Sequence, residues 1–349
     1  MASPGKEGKE FMEKVVYAHL GARSPRLRVG PGRGLDNGVV DLGDGKALVM
    51  TVDPISAIPA FGMELSAKLS VHLIASDFTT SGYDPEFAAF SYNFPPAMTE
   101  SQRGRYIEAL GDECEKLGVS IATGHTGSYP GSGYTVIGSG MMFGVVPRGE
   151  YITPAMAQIG DSVLMTKEAA IEAAGSLALC FPRFVAQETG DATARRAKVL
   201  LEGCSTVGDA RAARKAGLGR GKVSSMHDAT EGGVLGALEE MASASGKAFE
   251  VEPERIPRTA GVTRICAVFG IDPLATMGEG ALLITCSPAK LEEVERLMAS
   301  EGVPVARIGK VKKGAGLVLR SRDGRVRKFK PGPDRYWEAF ERATRSGLN

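Results

Sequence analysis

From Asp36 onward the chain alternates short β-type runs with amphipathic helical segments, first over residues 36–147 and again over 148–320. Such alternation commits a chain to sheets covered by helices, and 349 residues exceed what one hydrophobic core usually serves. Two packed domains of α/β (α+β) class are therefore expected. Residues 1–35 read as a flexible lead-in: one short helix over Glu10–Leu20, then the Gly/Pro/Arg-rich GARSPRLRVGPGRG, which breaks regular structure. Residues 321–349 read as a basic hairpin and a terminal amphipathic segment, RYWEAFERA.

Within the first domain, NGVVDL, the turn GDGK and ALVMTVD form a hairpin that delivers Asp53 to a strand end. Residues 62–76 keep Leu65, Leu69 and Leu73 at helical spacing, with Asp77 just beyond. FAAFSYNF is a strand. Thr99 and Gln102 form a capping box for a helix with Tyr106, Leu110, Cys114 and Leu117 on one face and Gly118 as its stop. The glycine-rich stretch to Pro147 reads as strands joined by tight turns. In the second domain GDSVLMT and GEGALLITC are strands. The helical stretches are KEAAIEAAGSLAL, Thr193–Lys215, the segment carrying Val234, Leu235, Leu238 and Met241, and KLEEVERLMASEG.

Charge narrows the function. Lysine plus arginine (42) balance aspartate plus glutamate (41), which argues against a nucleic-acid-coating or membrane-surface protein. The cationic residues of the last hairpin, from Lys310 to Lys330, read as a solvated face. Five scattered cysteines without paired spacing suit a reducing compartment, and no segment reads as a signal core or a membrane span. A cytoplasmic protein without membrane partners is expected, and nucleic acid is not an expected partner.

Single-segment nucleotide motifs are missing. GLGRGKV lacks the spacing and hydroxyl of a Walker loop, GSGMMFG falls short of a dinucleotide fingerprint, and the four histidines have no metal-ligand spacing. What remains is a set of aspartates beside glycines or hydroxyls: Asp36 in LDNG, Asp53 in TVD, Asp77 in SD, and Asp228 in HDAT. Each alone suits a turn or cap. Carboxylates so placed are what magnesium needs, because that ion takes hard oxygen ligands and bridges carboxylates to phosphates, and four together, with Lys68, call for a joint explanation.

The string AKLSVHLIASDFTTSG, with Lys68 nine residues before Asp77, resembles the lysine-to-aspartate segment of the hydrogenase-maturation HypE family, within the AIR synthase-like (PurM-like) superfamily. LDNGVV, TVD, IATGHTG, MHDATEGGVLGALEEMA and IDPLATMGEGALLIT resemble further segments of that superfamily, in its order, across about residues 34–290. The resemblance implies a PurM-like two-domain fold: an amino-terminal sheet or barrel domain that pairs across a homodimer, and a carboxy-terminal α/β domain closing over ATP. It implies that Asp36, Asp53, Asp77 and Asp228 hold magnesium and that Asp36, Asp53, Lys68, Asp77, Gly124, His125, Thr126, Asp228 and Thr230 bind the Mg-ATP. Lys68, Asp53 and His125 would be catalytic. The implied reaction moves the γ-phosphoryl group to an oxygen of a small-molecule or carboxamide acceptor. Its alternatives are a nucleotide-binding partner protein without turnover and a thiamine-monophosphate kinase.

Three departures accompany the resemblance. His125 stands where the hydrogenase-maturation and thiamine-monophosphate-kinase families carry an aspartate. No cysteine precedes Cys114, unlike selenophosphate synthases, and the chain reads SGLN where the hydrogenase-maturation tail has its carrier cysteine.

Overall fold

The structure is a computed structural model that describes residues 5–133 and 135–348. The first half holds α1 (Lys9–Phe11, continued by a π-helical turn Met12–Val16), β1 (Leu27–Val29), β2 (Gly38–Gly43), β3 (Lys46–Ser56), α2 (Gly62–Thr79), β4 (Phe87–Phe94), α3 (Glu100–Leu117), β5 (Ser120–Ser128) and β6 (Val136–Pro147). Its six strands are ordered β1-β2-β3-β6-β4-β5. Alternate residues of β3 (Ala47, Val49, Thr51, Ile55) are buried under α2 and α3, while Val52 on the other face is 60% exposed. That period of two is the mark of a sheet with one covered face. Packing of Val71, Ile74 and Phe78 against Phe90, Tyr106 and Leu110 makes the core.

Several local expectations hold in detail. Thr99 and Gln102 form the reciprocal capping box of α3, and Gly118 ends it in the left-handed conformation at φ 78°. Others shift. β3 runs three residues past Asp53, so the aspartate lies inside the strand, and Asp77 belongs to the last turn of α2 instead of following it. The lead-in is not wholly irregular: Leu27–Val29 pairs with β2 and becomes the first strand of the sheet. The helical part near the start is shorter than Glu10–Leu20 and exposes all three residues of its α-turn, with Met12 half-buried at the start of the π-turn.

The second half holds β7 (Ser162–Thr166), α4 (Ile171–Cys180), α5 (Pro182–Thr189), α6 (Asp191–Glu202), α7 (Val207–Arg214), β8 (Val223–Asp228), α8 (Gly233–Ser245), β9 (Ala248–Val251), α9 (Ala260–Phe269), β10 (Leu282–Cys286), α10 (Leu291–Ser300), β11 (Val305–Lys312), β12 (Gly316–Arg320), β13 (Val326–Lys328) and α11 (Tyr336–Arg345). Its strands are ordered β13-β12-β9-β11-β7-β10-β8. β7, β8 and β10 are buried at every residue because α8 covers one face and α7 with α10 the other. The terminal hairpin is not a separate unit, since β13 continues this sheet and α11 packs with α4, α5 and α9. Lys167 and Ala170, expected within a helix, instead hold positive φ angles (53° and 56°) in the loop before α4. Among the described residues, no helix is long and apolar enough to cross a membrane, and all five cysteines are free.

Candidate active site

Four segments bring the aspartates to one place between the two sheets. Asp36 precedes β2, and its neighbour Asn37 is buried, donating its amide to the Asp77 carbonyl and the Thr80 hydroxyl, 2.9 Å each. Thr51 and Asp53 share the face of β3 that looks toward α2, and the Thr51 hydroxyl lies 3.4 Å from the Asp77 carboxylate. Asp77 occupies the last turn of α2, where the carbonyl ends of the helix dipole disfavour an anion. From the second domain, β8 is the edge strand of its sheet, and it ends on Asp228, fully buried.

Buried charge of one sign dominates. Burial, then the charges of Asp228 and Asp53, push the Asp77 carboxyl well above the usual range. Asp228 is pushed up to about 7, first by burial and then by Asp36, against the opposing pull of His227. His227 is itself buried, its Nδ1 2.8 Å from Asp36 Oδ1 and its Nε2 3.2 Å from Glu240 Oε2. Burial works against its proton, yet Asp36 and Glu240 outweigh burial and hold it charged, with a pKa raised to about 10. Even so, Asp36 Oδ2 and both carboxylate oxygens of Asp228 are buried without a hydrogen-bond partner. Orphaned carboxylate oxygens are costly unless a cation takes them up. One ligand atom each from Asp36, His227 and Asp228 lie within 4.8 Å of one another. Of these, the Asp36 and Asp228 oxygens, hard and with free lone pairs, fit a magnesium ion, while His227, protonated, stands beside them without a lone pair to offer.

Beside the aspartates lies a cavity of about 570 Å³, lined by the glycine-rich loop Gly30–Gly34, by β3 and by α1. That volume falls in the range of small-molecule and cofactor sites. Gly34 is obligatory there: φ is +68°, and a Cβ would stand 2.6 Å from the Glu240 carbonyl oxygen. Close approach of this loop to α8 is secured a second time by Arg33, whose guanidinium meets Glu239 at 2.7 Å.

Of the residues singled out in the sequence, Asp36, Asp53, Asp77, Asp228 and Thr230 converge. Lys68 does not join them. Nine residues along α2 from Asp77 means about 14 Å and a half-turn to the opposite side of the helix, and its ammonium donates instead to the Glu202 carbonyl at 2.8 Å. Gly124, His125 and Thr126 are also elsewhere. Asp53 is in register with Gly140, that residue with Phe90, and Phe90 with Gly124, so three strand spacings, about 14 Å, separate them. His125 faces solvent on the edge strand β5 and shares a 2.6 Å hydrogen bond with the Tyr129 hydroxyl. The structure adds groups that the sequence did not single out. His227 and Glu240 sit 13 residues apart with nothing local to link them, and Glu279 presents a buried, unpartnered oxygen. Lys6 donates its ammonium to the Thr230 hydroxyl at 2.6 Å.

Comparison with known proteins gives the family and the fold. Residues 34–146 match the profile of the AIR synthase related protein N-terminal domain, and 158–322 that of the AIR synthase related protein C-terminal domain. A putative hydrogenase expression/formation protein of Methanocaldococcus jannaschii is 24% identical over 300 residues, covering 84% of this chain and 83% of the relative. Carbamoyl dehydratase HypE of Cupriavidus necator is 26% identical over 280 residues, covering 79% and 75%. Among solved structures, a HypE–HypF complex superposes with a TM-score of 0.73 at 20% identity, covering 92% of this chain and 99% of the other. A hydrogenase maturation protein HypE in complex with ATP superposes with a TM-score of 0.68 at 20% identity, covering 95% and 97%. These likenesses establish a shared PurM-like two-domain fold.

Proposed function

The chain belongs to the AIR synthase-related family, and from that premise we propose that it is a Mg-ATP-dependent enzyme transferring the γ-phosphoryl group to an oxygen of a small-molecule or carboxamide acceptor. One observation carries the reading: four aspartates from four distant segments meet beside a cavity, with Asp36 and Asp228 oxygens buried and unpartnered. An arrangement that costs stability persists where it serves binding. The fold shared with a HypE that holds ATP supports the same reading.

Asp36, Asp53, Asp77 and Asp228 would hold the metal, which when bound neutralises phosphate charge and orients it. Phosphoryl transfer asks little covalent chemistry of a protein, so positioning and charge are the chain's task. His227, charged between Asp36 and Glu240, fixes the Asp36 carboxylate from the second domain. Thr230 offers a hydroxyl beside Asp228, and the Gly30–Gly34 loop offers backbone N–H groups along the cavity wall. ADP release from Mg-ATP, with candidate acceptors added, is the test: Asp77→Asn should abolish it, and undiminished turnover in that variant would sink the proposal.

A homodimer is part of the proposal. The uncovered face of the first sheet exposes Leu42, Val52, Phe87 and Val145, each 39–60%, and β5 is an edge strand with eight of nine residues exposed. Apolar sheet faces and free edges of this kind call for a covering partner. In such a dimer Gly124, His125 and Thr126 would serve a site only if a second copy delivered them. The cytoplasmic setting is proposed from the free cysteines.

A further inference from the structure

The segment before β1 is seated on the acidic site mainly by polar contacts. Neither α1 nor the π-turn that follows it buries a residue, so little apolar packing holds the segment down. Its anchor is at Gly5 and Lys6. The Lys6 backbone N–H donates to the Glu231 carboxylate, and its ammonium donates to Thr230 Oγ1 at 2.6 Å. Although much of Lys6 is exposed, it lines the same cavity as Asp36, Asp53, Asp77 and Glu240; burial works against its proton, but the charges of Glu240, Asp77, Glu279 and Asp228 outweigh it and raise the ammonium's pKa. Gly5, at φ +109°, lies so close to Glu231 and Trp337 that a Cβ would come within 2.9 Å of the one and 3.2 Å of the other. Further along, Lys9, Met12, Glu13 and Tyr17 roof the cavity whose floor is Asp36, Asp53 and Asp77.

Carboxylates that want a divalent ion and an ammonium that already answers their charge are competitors. We propose that residues 5–17 form a releasable strap whose Lys6 ammonium serves as the built-in counter-ion of the aspartate site, so that strap docking and divalent-metal binding exclude one another. The inference rests on the metal reading given above. A divalent ion among Asp36, Asp77 and Asp228 repels the ammonium, frees the Lys6 and Glu231 contacts, and opens the roof of the cavity in the same step. The strap thereby couples entry to the cavity with arrival of the metal.

The chain carries a single tryptophan, and Trp337 donates its indole N–H to Glu231 at 3.3 Å, directly under Gly5. Its emission therefore reports the strap. The experiment titrates Mn²⁺ alone, without nucleotide, into the full chain, into Lys6→Met and into Lys6→Arg, reading bound metal by electron paramagnetic resonance and strap position by Trp337 fluorescence. Removing one nearby positive charge should tighten Mn²⁺ by about tenfold in Lys6→Met, while Lys6→Arg stays near the parent. Metal should shift Trp337 emission in the parent, and Lys6→Met should already have the shifted emission before metal is added. Equal Mn²⁺ affinity in parent and Lys6→Met, or weaker binding in Lys6→Met, overturns the strap while leaving the metal site standing. Metal binding that also survives Asp228→Asn overturns the metal site itself, and the strap with it.

Discussion

Two of the places where the domains meet treat buried polar atoms in opposite ways. At the seam beside the middle of α2, nearly every group has a partner. His72 shares one ring nitrogen with Ser205 at 2.9 Å and the other with Glu113 at 3.2 Å, the Ser76 hydroxyl accepts the Thr206 N–H, and Lys68 caps the Glu202 carbonyl. Only the Thr206 hydroxyl is left over there. In the aspartate cleft, three carboxylate oxygens of Asp36 and Asp228 have no partner. A neutral hydroxyl without a bond is a modest cost, but a buried carboxylate without one is a large cost. Satisfied polar contacts glue domains, and unsatisfied charge of one sign signals a ligand that the chain expects to bind.

The contrast breaks first at the cleft. Asp77→Asn and Asp228→Asn should each lower ADP formation by more than about 100-fold, since both remove charge that would hold the metal. The same variants should melt higher than the parent when no metal is present, by a few degrees, because each removes buried like-charge repulsion. A lower melting temperature would mean that these carboxylates are structural after all. Next in size is the seam: His72→Ala should cost about 1–3 kcal/mol in urea unfolding, leaving Glu113 and Ser205 short of a partner, with turnover per folded molecule unchanged.

The seam should also respond to acid. Burial, only partly offset by Glu113, lowers the His72 pKa below that of an ordinary histidine. The unfolded chain then takes up this proton at higher pH than the folded one. The resulting stability is fully present above about pH 6.5 and is lost as pH falls toward the folded value. Thermal melts at pH 7.5 and 5.5 should show that loss, and His72→Gln should flatten it. The smallest effect belongs to Lys68→Met, which should leave Mn²⁺ affinity within about twofold of the parent, as expected of a residue some 14 Å and half a helical turn from Asp77. A larger change would place Lys68 back in the phosphate site.

How much of this was legible in the chain depends on how far each inference had to reach. Strands, helices and the α3 capping box follow from local periodicity and local hydrogen bonds, which are properties of neighbouring residues. The aspartates were legible because each sits in a short polar motif at an element end and because the motifs come in a known order. Lys68 entered through the resemblance, by its spacing from Asp77, whereas nine residues along a helix turn a side chain to the far face. Gly124, His125 and Thr126 lie apart from the aspartates of their own chain for a topological reason: β5 pairs beyond β4, at the sheet edge, and strand order is not written in any local pattern. Lys6 gave no signal at all. A lysine in a charged, glycine-containing start has nothing local to distinguish it, and its contacts span 224 residues or more. The strand Leu27–Val29 was hidden by the prolines and glycines around it.

The last turn of α2 places Ser76 and Asp77 side by side, the first bonded across the seam and the second turned into the cleft. A comprehensive mutational scan of this chain would consequently find a sharp border between two consecutive codons. Replacements at 76 would register as low abundance of protein, those at 77 as abundant protein that does nothing, and no smoothing of scores over neighbouring positions would reveal either.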